Sequence, residues 1–180
     1  ADTISKLSSS IKIIANGAVG FGNIDFKAAR ERGIAVTNTP DVLTDATADI
    51  QILLLLGASR KAYEGRLAAE TQNWKWSWDF LLGKQMSNKR LGIIGMGRIG
   101  RAVAKRAKAF NMEIHYHNRS KLKPELENGA IFHKDLKSLL EKSDFLSINC
   151  PATPETKKLI NKETLCYLKE NTVVGNAARG

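Results

Sequence analysis

The stretch Gly95-Met96-Gly97-Arg98-Ile99-Gly100 restricts the fold more than any other part of the chain. It follows the apolar run Leu91 to Ile94 and opens an amphipathic pattern that continues to about Phe110. A G-x-G-x-x-G between a strand and a helix has a physical reading at each glycine. The first permits a tight turn, the second lets a pyrophosphate approach the backbone, and the third lets helix and strand pack closely. The helix start also offers the N–H groups of Arg98 and Ile99 and the positive end of a dipole. Gly95, Gly97, Arg98, Ile99 and Gly100 are therefore the expected dinucleotide contacts.

The surrounding sequence continues this grammar. After the glycine turn come the apolar strands Glu113 to His117, Ala130 to Phe132, Phe145 to Asn149 and Thr172 to Asn176, separated by helical stretches near 124–128, 136–141 and 162–169. Strands that read as continuous apolar runs suit a parallel sheet covered on both faces. The expected fold class is α/β, a Rossmann-type doubly wound parallel sheet. Upstream, Lys12 to Val19 and Ile34 to Thr37 read as strands around a short helix opened by Asp25 and closed by Gly33. A long helical region spans about Asp41 to Glu70, apolar all round from Ile50 to Leu56 and hence expected to be buried. The segment from Gln72 to Lys89 contains Trp74, Trp76 and Trp78 and reads as an arm.

Charge is concentrated rather than spread. The 180 residues carry a formal net charge of +10, and between Lys84 and Lys123 there are 11 basic residues against the single acid Glu113. An anion is expected there. Arg101, Lys105 and Lys108 also fit a solvated helix face opposite Ile99, Val103, Ala107 and Phe110. Nucleic-acid binding is disfavoured because no aromatics interleave with the charges. No apolar run approaches the ~20 residues of a membrane-spanning helix. The two cysteines, Cys150 and Cys166, form no framework, which suits a reducing, cytoplasmic compartment. His115 and His117 lack a matching third ligand, so no metal site is expected.

The residue that follows the second sheet strand reads the ribose in such folds, and a carboxylate there selects a free 2′-hydroxyl. Here the position is Asn118, followed by Arg119, Ser120 and Lys121. An amide, a guanidinium and a hydroxyl accept a 2′-phosphate that a carboxylate would repel. NADP(H) is the expected cofactor, with NAD(H) as the alternative.

These motifs together resemble the D-isomer-specific 2-hydroxyacid dehydrogenases, and within them the glyoxylate/hydroxypyruvate reductase branch. The likeness is carried by Asn16 to Gly20 with Asn23-Ile24-Asp25, Thr37 to Asp45, Gly95 to Gly100, Tyr116 to Ser120, Cys150 to Thr156, and Asn176 to Gly180. The resemblance implies that Val19 and Gly20 bind the substrate carboxylate and that Arg179 is the catalytic arginine which binds and polarises a 2-oxo acid. It implies that Cys150, Pro151, Thr156 and Ala177 line the cofactor path, and that the family's catalytic Glu and His lie beyond Gly180, the chain being an excerpt. Trp76 is the candidate for a tryptophan that reaches a partner subunit, and a homodimer is implied. Where the family commonly has an acid before Asn23 and a Pro two residues after Trp76, this chain has Gly22 and Trp78.

The implied organisation is part of a flavodoxin-like substrate domain over 1–45, an interdomain helix and arm over 46–87, and an NAD(P)-binding domain over 88–180. The expected activity is NADPH-dependent reduction of glyoxylate, hydroxypyruvate or a similar small 2-oxo acid to the D-2-hydroxy acid. The alternatives are an NAD-dependent relative of the phosphoglycerate or formate dehydrogenase type, and a dinucleotide-sensing corepressor.

Overall fold

The computed structural model describes residues 2–20, 22–72 and 74–178 and divides into two compact units, 1–44 and 45–180. In the first, α1 (Asp2–Ser5) precedes β1 (Ile13–Ala15), α2 (Phe26–Glu31) and β2 (Ala35–Thr37). β1 and β2 pair in parallel, with Ile14 opposite Val36. Asp25 caps α2 as its position predicts, its carboxylate accepting from Ala28 N at 2.9 Å. Ile4, Ala29 and Ile34 form a small core with Leu7, Ile14 and Val36. β1 is shorter than its apolar run suggests: Asn16 N makes a last bond across to Thr37 O at 3.0 Å, and the chain then bends over 17–19.

The second unit opens with α3 (Thr44–Ser59) and α4 (Ala62–Thr71) where the pattern predicts one helix. The break has a long-range cause. The Ser59 carbonyl accepts Lys84 N at 2.7 Å, and Lys61 takes a left-handed φ of 53°. Gly83 makes the approach possible, because a Cβ there would lie 2.5 Å from Ser59 O. Next come β3 (Arg90–Ile94), α5 (Arg98–Lys108), β4 (Glu113–His117), α6 (Pro124–Glu127), β5 (Ile131–His133), α7 (Leu136–Lys142), β6 (Phe145–Ile148), a 3-10 turn at Pro154–Thr156, α8 (Lys162–Leu165) and β7 (Val173–Asn176). The strands form a five-stranded parallel sheet in the order β5-β4-β3-β6-β7. Counted from β3, that is the 3-2-1-4-5 order of a Rossmann sheet, and the direction of winding switches between β3 and β6.

Alternation along the strands gives each face its own cover. Leu91, Ile93, Ile114, Tyr116 and Phe145 pack with Leu55 of α3 and with Val103 and Ala107 of α5. Ile94 and Leu146 pack with Leu139 and Leu140 of α7 on the other side. Arg106 of α5 joins α3 through Asp49 (2.5 Å) and Asp45 (3.0 Å). Gln51, fully buried, donates to Gly175 O on β7 at 3.0 Å, while its own Oε1 has no partner. At the N-terminal edge of the sheet, Asp144 gathers Arg90 Nε (3.0 Å) and Lys169 Nζ (2.8 Å), and Lys84 Nζ caps the Asp144 carbonyl at 2.8 Å.

The expected all-round burial of α3 is not met within the chain. Ala48, Gln51 and Leu55 face the sheet, whereas Ile50, Leu53 (61% exposed) and Leu54 face outward. A helix with little amphipathic asymmetry can cover the sheet with only one side. In the arm, Trp74 stacks on Phe80 at 5.2 Å and Trp76 meets Trp78 edge-on at 5.1 Å, all three tryptophans being exposed. Among the described residues no helix is long and apolar enough to cross a membrane.

Candidate functional site

The glycine turn lies at the C-terminal end of β3, where the sheet changes winding direction and open α/β sheets bind ligands. Gly95 has a φ of 90°, and a Cβ there would lie 2.6 Å from Cys150 N. Only glycine lets the turn close against the end of β6. Gly97 precedes α5 as its N-cap, and a Cβ there would meet nothing within 4 Å. That open space is what a pyrophosphate approaching the backbone requires. A Cβ on Gly100 would lie 2.3 Å from Gly95 O, so helix and turn touch at that point. Arg98 and Ile99 start α5, with Arg98 exposed and Ile99 half-buried.

Asn118, Arg119 and Ser120 follow β4 directly beside this turn. Asn118 Oδ1 accepts Met96 N at 2.7 Å, which ties the two loops together. Because an N–H must meet an oxygen, the contact also fixes the orientation of the amide. Its Nδ2 is left as the donor on the other side, a group suited to oxygen ligands. Arg119 and Ser120 are exposed.

Across the switch point, Asn149 N bonds Ile94 O at 2.8 Å, and the chain continues into Cys150 and Pro151. A cleft of about 770 Å³ opens there, lined among others by Cys150, Pro151, Thr156, Asn176 and Ala178. Burial pushes the Cys150 thiol above its ordinary pKa, which keeps it protonated and weakly nucleophilic. Thr156 has a local task in this wall. Its hydroxyl donates to Pro151 O at 2.6 Å and accepts Thr153 N at 2.8 Å, holding the loop in shape. Ala177 follows the C-terminal end of β7 and lies between Asn176 and Ala178 of that lining.

Val19 and Gly20 belong to the first unit, where Asn38 Nδ2 donates to Val19 O and Asn16 Nδ2 to Gly20 O, each at 2.9 Å. Arg179 lies outside the described residues. The structure thus brings Gly95 to Gly100, Asn118 to Ser120 and Cys150, Pro151, Thr156 and Ala177 to one edge of one sheet.

Sequence reasoning missed two groups under this edge. Tyr116, fully buried, donates to Glu127 Oε1 at 2.5 Å and accepts Leu122 N at 3.0 Å. On the opposite face, His115 Nδ1 meets His133 Nε2 at 2.8 Å and His115 Nε2 meets Glu113 Oε1 at 2.8 Å. Burial lowers the pKa of both histidines, partly offset at His115 by Glu113. The sequence signal was present, since His115, His117 and His133 sit on adjacent strands, but the register of β4 and β5 was needed to pair them.

Comparison with known proteins gives a consistent picture. Residues 52–180 match the family model described as D-isomer specific 2-hydroxyacid dehydrogenase, NAD binding domain. The chain is 48% identical over 176 residues to the glyoxylate reductase of Pyrococcus horikoshii, covering 94% of this chain and 52% of that protein. It is 43% identical over 182 residues to the glycerate dehydrogenase of Hyphomicrobium methylovorum, covering 99% and 56% respectively. A solved glyoxylate reductase from Paecilomyes thermophila superposes with a TM-score of 0.90 at 44% identity, over 99% of this chain and 54% of that one. The chain spans about half the length of the curated relatives it matches. A glycine turn on a Rossmann sheet occurs in many families, but the same sheet joined to this sequence likeness is specific, and the chain belongs to the D-isomer specific 2-hydroxyacid dehydrogenases, on their glyoxylate reductase branch.

Proposed function

We propose that the protein carrying this chain reduces glyoxylate, hydroxypyruvate or a similar small 2-oxo acid to the D-2-hydroxy acid, with NADPH preferred over NADH. The observation that carries the cofactor choice is Asn118. Its oxygen is committed to Met96 N at 2.7 Å, its amide nitrogen is a donor, and exposed Arg119 and Ser120 follow it. A carboxylate at this position would favour a free 2′-hydroxyl, whereas this set favours a phosphate. The residues fit a dinucleotide. The open space over Gly97 and the start of α5 would hold the pyrophosphate, and Cys150, Pro151 and Ala177 would line the path toward the nicotinamide. The bound cofactor supplies hydride. In this reading the backbone at Val19 and Gly20 holds the substrate carboxylate, and Arg179 orients the 2-oxo acid and polarises its carbonyl.

The same reading assigns the outward face of α3, with Ile50, Leu53 and Leu54, and the exposed Trp76 to contact with a second copy of the chain. The free thiols of Cys150 and Cys166 suit a reducing compartment such as the cytoplasm.

Calorimetric titration of the full-length protein with NADPH and NADH tests the cofactor assignment. The expected outcome is a Kd ratio of tenfold or more in favour of NADPH, about 1.4 kcal/mol. Arg119→Ala should abolish it. Asn118→Asp, which keeps an oxygen for Met96 N, should reverse it. Equal affinity in the wild type, or a preference for NADH, would overturn the assignment. Glyoxylate and hydroxypyruvate turnover, measured alongside, tests the substrate class.

A further inference from the structure

The loop that would read the adenosine ribose is held from beneath by groups that touch no ligand. Asn118 is tied at one end to Met96 N, and Leu122 N bonds the Tyr116 hydroxyl at the other, at 3.0 Å. That hydroxyl donates to Glu127 Oε1 on α6, and Lys121 Nζ stands 3.8 Å from Glu127 Oε2. Glu127 therefore binds the strand before the loop and a side chain within it. The ring of Tyr116 is fully buried and lies 5.3 Å from Phe132, so it cannot follow a moving loop.

We propose that Tyr116 and Glu127 are positioning residues that fix the 118–122 loop for discrimination at the adenosine 2′-oxygen. The inference rests on the assignment of Asn118, Arg119 and Ser120 to that oxygen. Burial, with Glu127 accepting the proton, pushes the Tyr116 hydroxyl up to about 12, so it remains a donor at working pH. A long, flexible arginine on an untied loop loses conformational entropy each time it engages a phosphate. Holding both ends of the loop removes part of that cost before binding. Pyrophosphate contacts at Gly97 to Ile99 belong to a different turn, which keeps its own anchor in the Asn118 contact. Loss of the Tyr116 hydroxyl should therefore affect the 2′-phosphate more than the rest of the dinucleotide.

The test is the Kd of the full-length protein for NADPH and for NADH, in the wild type and in Tyr116→Phe, Glu127→Ala and Glu127→Gln. In Tyr116→Phe the NADPH affinity should fall about tenfold while NADH changes by less than about twofold, so the selectivity ratio drops at least fivefold. Glu127→Ala, a change on a short outer helix, should move the ratio in the same direction, and Glu127→Gln, which keeps an acceptor, should restore most of it. A ratio within twofold of wild type in both Tyr116→Phe and Glu127→Ala, or a parallel loss for both dinucleotides, would mark a purely structural staple and overturn the proposal. The wild-type ratio separately scores the 2′-phosphate reading. If the wild type prefers NADH, that reading fails, and a variant-induced change in the ratio of either sign still decides the positioning role.

Discussion

Replacing Asp144 with Asn preserves shape and removes a charge at the N-terminal edge of the sheet. The wild-type carboxylate accepts Arg90 N and Arg90 Nε at 3.0 Å each on Oδ2 and Lys169 Nζ at 2.8 Å on Oδ1. Its side chain is 14% exposed, whereas those of Arg90 and Lys169 are 38% and 35% exposed. A fully buried pair that loses one partner costs about 3–5 kcal/mol, and a fully exposed pair about 0.2–1 kcal/mol. Here the acceptor is nearly buried and the cations retain a route to water, which places the loss between these limits at about 2–3 kcal/mol. Burial opposes ionisation of Asp144, but Lys169 and Arg90 outweigh it and hold the carboxyl well below the usual carboxylate range. The unfolded chain therefore binds this proton more tightly than the folded one. The stabilisation should be complete above the ordinary value of 3.8 and be lost as pH falls below it. Urea unfolding of wild type and Asp144→Asn, followed by circular dichroism from neutral pH downward, measures the difference. A loss under about 0.5 kcal/mol at neutral pH, or a gap that does not narrow on acidification, would refute the reasoning.

Two further predictions concern the edge itself. Gly100→Ala drives a Cβ to 2.3 Å from Gly95 O. The turn and α5 must separate, at a cost of about 1–3 kcal/mol in stability, and calorimetry should show dinucleotide affinity reduced by two orders of magnitude or more. The His115–His133 pair, buried at His115 and half-buried at His133, should make stability fall as pH drops below the ordinary histidine value of 6.5, since both folded values are lowered and the unfolded chain takes up protons first. Arg90 and Lys142 add to that lowering at His115, and Glu113 opposes it. His115→Leu should flatten the dependence, by at most about 1.4 kcal/mol per pH unit for each proton, measured as the difference in urea midpoint between pH 7 and lower values.

The parts of the fold legible in the sequence were those set by neighbours along the chain. Leu91 to Ile94 reads as a buried strand because its apolar run needs no alternation, and Asp25 and Asp135 cap α2 and α7 through contacts three residues on. The glycine turn was legible because each glycine answers a local steric demand. What remained hidden depends on contacts between distant residues. Nothing near Lys61 announces a break, which is set by Lys84 N arriving at Ser59 O. Tyr116 looked like one more apolar strand residue until α6 placed Glu127 on its hydroxyl. The histidine pair needed the register of β4 and β5, and the outward face of α3 could not be separated from its inward face by composition alone.

The hydrogen bond between Gln51 and Gly175 joins residues 124 positions apart. During synthesis at about 5–20 residues per second, α3 emerges roughly 6–25 s before the strand it must cover. For that interval the Gln51 amide has no Gly175 carbonyl to meet, although Leu55 can already pack on β3, β4 and β6, and closing so long a loop is slow in any case. Completion of this unit is therefore expected to come late, with the seating of β7 against Gln51 of α3 as its final event. Until β7 is made, α3 covers an unfinished sheet and the Gln51 amide depends on water for its hydrogen bonds.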